Sequence, residues 1–409
     1  MIRDIKLFNF QENSSYEKVL YRARNLSDKI FLNKENHEYK CLTSDFLDPK
    51  YNNIKNLLMK WRDRFETIIV IATGGSNLGS KVITNLNLNS KKNCKFIYLD
   101  NLDKKYIAKI INSLDFAMCG FLVISKSGNT LEVVSQYLIF LDIMEKKIGQ
   151  DKVKSHFLTI TTKKDNIISS ISKEKNIKVI EHDSYISGRF SILSCVGWVP
   201  ALIAGVNFEE IIRGSNSVIR ALKGKNSYSI TGAVTMSQLS KSNIYVNILA
   251  TYEPRLLFFC EWFRQLWSES LGKNGIGMTA SSSLLPLDQH SQLQAWIEGP
   301  RDKIINILIN KDKTDEILID SLGIKKADFL NGISIDSINE VFAKVIIKAL
   351  KDSGRPYRVI LLDDLDEFTI GQLFTHFMLE TILTSELLDL NPFDQPAIEK
   401  IKKDTWEHF

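Results

Sequence analysis

The chain has 409 residues, enough for two or three domains at about 150 residues each. Apolar residues make up 44% and charged residues 25%, a globular balance that excludes disordered, collagen-like and low-complexity architectures. Lys and Arg outnumber Asp and Glu by 53 to 48, and the formal charge of +5 leans toward anionic ligands without calling for nucleic acid.

Residues 1–50 are polar with scattered aromatics and read as a helical arm or cap. From residue 65 the pattern changes. ETIIVIATGG (66–75), KFIYLD (95–100), GFLVISKSG (120–128), HFLTITT (156–162) and IKVIEHD (177–183) are short β-branched and aromatic runs. Amphipathic stretches such as 103–113 and 130–147 lie between them. Continuous apolar strands alternating with helices predict βαβ units around a buried parallel sheet. Residues 190–240 read as mostly helical. A second alternation follows, with strands within 243–252, 275–282, 302–310 and 356–366. Its helices fall at 256–272, near 290–299, at 337–352 and 368–388, and from about Gln395. The predicted class is α/β, divided into an arm over 1–50, a first domain over 51–215 and a second over 216–409 with the C-terminal helix. The many Lys-rich helix faces read as solvated surface.

Cys41, Cys94, Cys119, Cys195 and Cys260 are odd in number and widely spaced. No CxxC pair is present, which argues against a disulfide framework or structural zinc and for a reducing cytoplasm. The N-terminal stretch lacks the apolar core of a signal peptide. The longest apolar run, near 197–206, is about half the length a membrane span needs. No membrane partner is expected.

Chemistry concentrates in a few loops. Ala72-Thr73-Gly74-Gly75-Ser76-Asn77-Leu78-Gly79 follows a strand and opens a helix, where open α/β sheets bind ligands. It matches neither GxGxxG nor a P-loop, which disfavours a nucleotide, and a plain glycine turn would also explain it. Ser125-Lys126-Ser127-Gly128-Asn129-Thr130 also joins a strand to a helix. Three hydroxyls and a lysine at a helix N-terminus suit a phosphate monoester. The alternative is simple capping, which needs only one of those hydroxyls. Glu261, Gln265 and Glu269 recur at i+4 on one helix face. Glu269 falls in the last turn, poor for helix stability and suited to a general base, or else a surface glutamate balanced by Lys273. Asp288 reads as an N-cap with His290 in the first turn, a place for proton exchange or for a structural histidine. In NPFDQPAIEKIK, Gln395 and Lys402 are seven apart and so face the same way on the terminal helix. Arg189 in SGRFS could clamp an anion or make a structural salt bridge.

Taken in order, ATGGSNLG, ISKSGNTLE, SGRFSILSCVGWVPALIAG, QLWSESLGKNGIG, DQHSQLQ and NPFDQPAIEKIK closely resemble segments of the glucose-6-phosphate isomerase family, from about residue 70 to 402. The resemblance implies two sugar-isomerase (SIS) domains, each a three-layer α/β/α sandwich with a mainly parallel sheet. It implies a homodimer and reversible conversion of glucose 6-phosphate to fructose 6-phosphate through a cis-enediolate, with no cofactor and no metal. By motif position, Gly75, Ser76, Ser125, Lys126, Ser127 and Thr130 would bind the substrate around its phosphate. Gln265 and Gln395 would contact the sugar. Glu269 would move the proton between C1 and C2, and Arg189 would stabilise the enediolate. Lys402 and His290 of the partner subunit would handle ring opening. The sequence departs from the family pattern at Ala72-Thr73, Ser80, Val133, Ser187, Ala397 and Ile401, and keeps every proposed catalytic group. Two other readings are a dual phosphoglucose/phosphomannose isomerase and a non-catalytic SIS regulator, which would not need Glu269 or Lys402.

Overall fold

The computed structural model of the chain describes residues 1–10, 12, 15–34, 36–37, 39–86, 94–224, 227–311 and 317–408. β1 (Ile2–Phe8) and α1 (Tyr16–Asn33) come first. The first alternation begins α2 (Asn52–Arg64), β2 (Thr67–Ala72), α3 (Gly75–Asn85), β3 (Lys95–Leu99), α4 (Lys104–Ser113) and β4 (Cys119–Ile124). It continues through α5 (Leu131–Ile148), α6 (Gln150–Val153), β5 (Phe157–Thr161), α7 (Ile167–Glu174) and β6 (Lys178–Glu181). Three helices follow: α8 (Cys195–Ala204), α9 (Phe208–Ala221) and α10 (Tyr228–Ser240). The second alternation opens with β7 (Val246–Thr251), α11 (Leu257–Leu271), β8 (Thr279–Leu284), α12 (Leu293–Ile297) and β9 (Lys303–Asn310). It closes with α13 (Ile335–Asp352), β10 (Tyr357–Leu362) and α14 (Glu367–Leu387), and α15 (Pro396–Trp406) comes last.

The chain divides into two compact units. The first comprises residues 27–223 with 393–409, and the second residues 1–26 with 224–392. The sequence-based division at 50/51 and 215/216 followed the chain in order, with α15 in the later domain. In the structure each unit instead draws on a segment remote in sequence, and α15 belongs to the first.

In the first unit the sheet order is β3-β2-β4-β5-β6, with every pair parallel. All six residues of β4 are buried, as is β2 beyond Thr67, which explains their unbroken apolar sequences. Ile69, Ile71, Phe121 and Val123 form a core with Tyr137 and Phe140 of α5. Right-handed crossovers that leave the sheet centre in opposite directions place helices on both faces, giving an α/β/α sandwich.

In the second unit the order is β1-β10-β9-β7-β8, parallel except for β1. Ile248, Ile305, Ile307 and Tyr357 pack with Ile346 and Leu350 of α13. Three expectations are corrected here. Ile2–Phe8 is an edge strand antiparallel to β10 rather than part of a helical arm; its Arg3, Asp4 and Lys6 are the charges with which edges resist further pairing, and they hide the strand pattern. The strand expected from 275 starts at Thr279, because Gly275 and Gly277 adopt φ of +71° and +91° and turn the chain. The helix near 290–299 shrinks to the five residues of α12.

A buried ion pair links β10 to α14. Arg358 donates to both Glu380 oxygens at 2.5 and 3.0 Å, and its Nε donates to Asn306 at 2.7 Å. The two side chains are 2% and 0% exposed. Burial alone would raise the Glu380 pKa, but the Arg358 charge outweighs it and holds the carboxyl down at about 2.

Candidate functional site

In the first unit β2 leads through α3 to β3 on one side, and β4 leads through α5 to β5 on the other. A crevice therefore opens at the carboxyl ends of β2 and β4, the place where such sheets bind ligands. The 125–130 loop leaves β4 there. Ser125 Oγ lies 2.9 Å from Thr130 Oγ1, and Ser127 Oγ lies 3.4 Å from each. Ser125 and Ser127 also accept the Gly128 and Asn129 N–H groups, at 3.2 and 3.3 Å. Thr130 occupies the N-cap position of α5, yet its side chain makes no capping bond. The hydroxyls are turned on one another rather than onto the helix amides, so capping does not account for them. Gly128 has φ +66°, and a Cβ there would fall 1.8 Å from Asn166 Oδ1, so the loop requires glycine.

The second loop follows β2. Ser76, 7% exposed, lies in the first turn of α3. A Cβ on Gly75 would sit 2.2 Å from the Gly188 carbonyl carbon and 2.4 Å from Arg189 N. Gly75, expected as a ligand contact, thus also lets the start of α3 pack directly on the 188–189 backbone. Arg189 is 1% exposed, and it donates to the Asp394 carbonyl at 2.9 Å and to Gln395 Oε1 at 3.1 Å. Trp406 Nε1 of α15 donates to the Asn129 carbonyl at 3.1 Å. The terminal segment is therefore bound both to Arg189 and to the hydroxyl loop. Gln395 precedes the first helical residue, Pro396, so the helical spacing expected to align it with Lys402 does not apply. Gln395 holds Arg189, while Lys402 is exposed on α15.

Sequence reasoning missed His182, just after β6. Its Nδ1 donates to the Asp183 carbonyl at 2.8 Å, and its Nε2 is buried with no partner. Burial, reinforced by the charge of Lys126, pushes its pKa down to about 4, so the ring is neutral. Burial also lowers the Lys126 pKa, against the pull of the Asp183 carboxylate. The only signal in the sequence was a lone histidine at a strand end.

In the second unit Glu269 lies in the last turn of α11, half-buried. Gln265, one turn earlier, donates from Nε2 to Glu269 Oε1 at 2.7 Å. The Gln265 Oε1 is buried without a partner, an acceptor open to a hydroxyl donor. Lys273, beyond the helix, donates to the Asn391 carbonyl at 2.5 Å. His290 is placed differently from expectation. It closes a 3-10 turn, Leu287–Gln289, capped at its start by Pro286, and α12 begins only at Leu293. His290 is therefore exposed and outside any helix. Asp288, rather than capping one, accepts from Ser283 Oγ at 2.7 Å, Ser291 Oγ at 2.9 Å and Leu284 N at 3.1 Å, which fixes this turn.

The five cysteines are buried free thiols. Among the described residues, no group of three or more His, Cys, Asp or Glu could hold a metal ion, and no helix is long and apolar enough to cross a membrane.

Residues 60–288, more than half of the chain, match the phosphoglucose isomerase family. The chain belongs to the phosphoglucose isomerase family. A probable glucose-6-phosphate isomerase from Methanococcus maripaludis is 32% identical over 371 residues, covering 88% of this chain and 82% of that protein. The glucose-6-phosphate isomerase of Parabacteroides distasonis is 29% identical over 377 residues, covering 88% and 84%. Among solved structures, a hypothetical protein from Thermus thermophilus superposes with a TM-score of 0.86 at 25% identity, over 99% of both chains. A glucose-6-phosphate isomerase from Chlamydia trachomatis superposes at 0.82 with 18% identity, over 98% of this chain and 87% of that one, a likeness of fold. The family span takes in Gly75, Ser76, the 125–130 loop, Arg189, Gln265 and Glu269, whereas His290, Gln395 and Lys402 lie beyond it.

Proposed function

We propose that this chain interconverts glucose 6-phosphate and fructose 6-phosphate, in the cytoplasm, as a phosphoglucose isomerase of glycolysis and gluconeogenesis. The observation that carries the reading is the Glu269 carboxylate, half-buried and held by Gln265 at 2.7 Å, in a chain of this family. The reaction is redox-neutral. A proton leaves C2 and returns to C1 while the carbonyl moves from C1 to C2. A base that holds the proton between the two carbons, and positive charge near the enediolate oxygens, suffice.

In this reading Ser125, Ser127, Thr130, Ser76 and Lys126 bind the phosphate, with Gly75 giving the backbone close approach. Binding there, remote from C1 and C2, positions the reacting carbons. Glu269 is the base. Arg189 stabilises the enediolate, its guanidinium aimed by Asp394 and Gln395. Gln265 and Gln395 contact the sugar. Lys402 and His290 of the partner subunit assist ring opening, which makes the working form a homodimer.

The test is a coupled assay that follows glucose 6-phosphate formed from fructose 6-phosphate. Glu269→Gln keeps the shape of the side chain and removes the base. It should lower kcat by about 10²–10⁴-fold with KM within a few-fold of wild type. Undiminished turnover in this variant, or none in wild type, overturns the reading.

A further inference from the structure

Four cationic side chains meet at a cavity in the first unit, away from the hydroxyl loop. A cavity of about 260 Å³ is lined by Lys60, Arg64, Lys154 and Lys178, with Trp61 and Phe157 also in its wall. It is built from the second half of α2, the connection from α6 into β5, and the first residue of β6. β5 and β6 run parallel to β4, so the cavity sits at the amino ends of the strands, and the 125–130 loop at their carboxyl ends. None of the lining residues is a carboxylate. Among the described residues none of the four cations takes part in an ion pair, although salt bridges are common elsewhere on this surface.

Arg64 is fixed in place. Its guanidinium donates to His156 Nε2 at 2.6 Å and to Ser155 Oγ at 3.1 Å. His156 is 3% exposed, and its Nδ1 lies 2.8 Å from the Cys119 carbonyl. A carbonyl only accepts, so Nδ1 carries the proton and the Nε2 lone pair faces Arg64. Burial lowers the His156 pKa and the Arg64 charge adds to that, so the ring remains a neutral acceptor at neutral pH. A buried histidine thus holds the guanidinium of an exposed arginine at the edge of a cavity that three exposed lysines without ion pairs also line, together with Trp61 and Phe157. Like charges gathered without counter-charge repel one another, and a bound anion relieves this. The volume falls just below the usual range for ligand pockets, which limits the occupant to a small molecule.

We propose that this cavity binds a small organic phosphate, a phosphoryl group on a compact apolar body, at a site separate from the catalytic loops. The probe is phenyl phosphate, titrated calorimetrically into the full-length protein with saturating fructose 6-phosphate. One phenyl phosphate per chain is expected, bound more tightly than inorganic phosphate. Arg64→Ala and Lys178→Ala should each weaken it about tenfold, the loss of one charge-assisted contact. Lys178→Ala should leave isomerase turnover unchanged. Because residue 178 is exposed at the start of β6, that variant keeps the test valid even if Arg64→Ala fails to fold, and it separates the two sites without reliance on the sugar phosphate. Binding that fructose 6-phosphate displaces completely, binding unchanged in Lys178→Ala, or no preference over inorganic phosphate overturns the proposal. So does capture of anionic vesicles or RNA by this face without binding of phenyl phosphate.

Discussion

His182 gives a prediction whose size follows from one buried ring. Its folded pKa is about 4, against 6.5 for an unperturbed histidine. At pH 7 the ring is largely neutral in both folded and unfolded chains. As the pH falls through 6.5 the unfolded chain takes up a proton that the folded chain refuses until about pH 4. Stability is therefore present above the unfolded pKa and is lost on the way down to the folded one. At about 1.36 kcal/mol per pKa unit, the full difference corresponds to about 3.4 kcal/mol. About 2 kcal/mol of it is lost between pH 7 and pH 5. His182→Asn removes the titration and keeps a side-chain N–H for the Asp183 carbonyl. Urea unfolding followed by circular dichroism at pH 5, 6 and 7 reads the effect. The variant should lose about 2 kcal/mol less than wild type over that span, whatever its absolute stability at pH 7. Equal losses in the two proteins would show that the ring titrates normally and is not desolvated.

Thr130→Val should raise KM for fructose 6-phosphate about tenfold, while unfolding stability changes by less than about 1 kcal/mol, because the hydroxyl does not cap α5. A large loss of stability with unchanged KM would return this loop to a capping role. Gly75→Ala should cost about 3 kcal/mol or more in thermal unfolding, since backbone rather than a flexible side chain lies 2.2 Å from the new methyl; a variant as stable as wild type would contradict the close approach of α3 to Gly188. Glu380→Gln should cost about 3–5 kcal/mol by leaving the Arg358 guanidinium buried and uncompensated, measured by denaturant unfolding. An effect below about 1 kcal/mol would mean that water reaches the pair.

The strands of the first unit were legible because both faces of β2 and β4 are buried, leaving no polar residue to break the run. β1 was not, because an edge strand carries charge and its partner lies about 350 residues away. The hydroxyl loop was legible for a different reason: its groups occupy six consecutive positions, so local chemistry sufficed. Arg189 and Gln395 are 206 residues apart, and nothing local in either segment announces their bond; the family resemblance named both residues without giving the contact. His290 was misplaced because a capping aspartate and a turn-holding aspartate look alike in sequence, and Asp288 is the second kind. Nothing in the sequence singles out Lys60, Lys154 and Lys178, since their convergence depends on three separate parts of the chain.

The bond between Arg189 and the 394–395 segment also bears on how the protein matures. On the ribosome, Arg189 emerges 206 residues before Gln395, and the hydroxyl loop earlier still. A nascent chain that has reached residue 392 contains every hydroxyl of the loop but lacks the strap that aims the guanidinium and the tryptophan that pins the Asn129 carbonyl. These contacts are therefore among the last that the growing chain can make, and in the function proposed above a polypeptide cut short before residue 394 would carry Arg189 without the partners that hold its guanidinium.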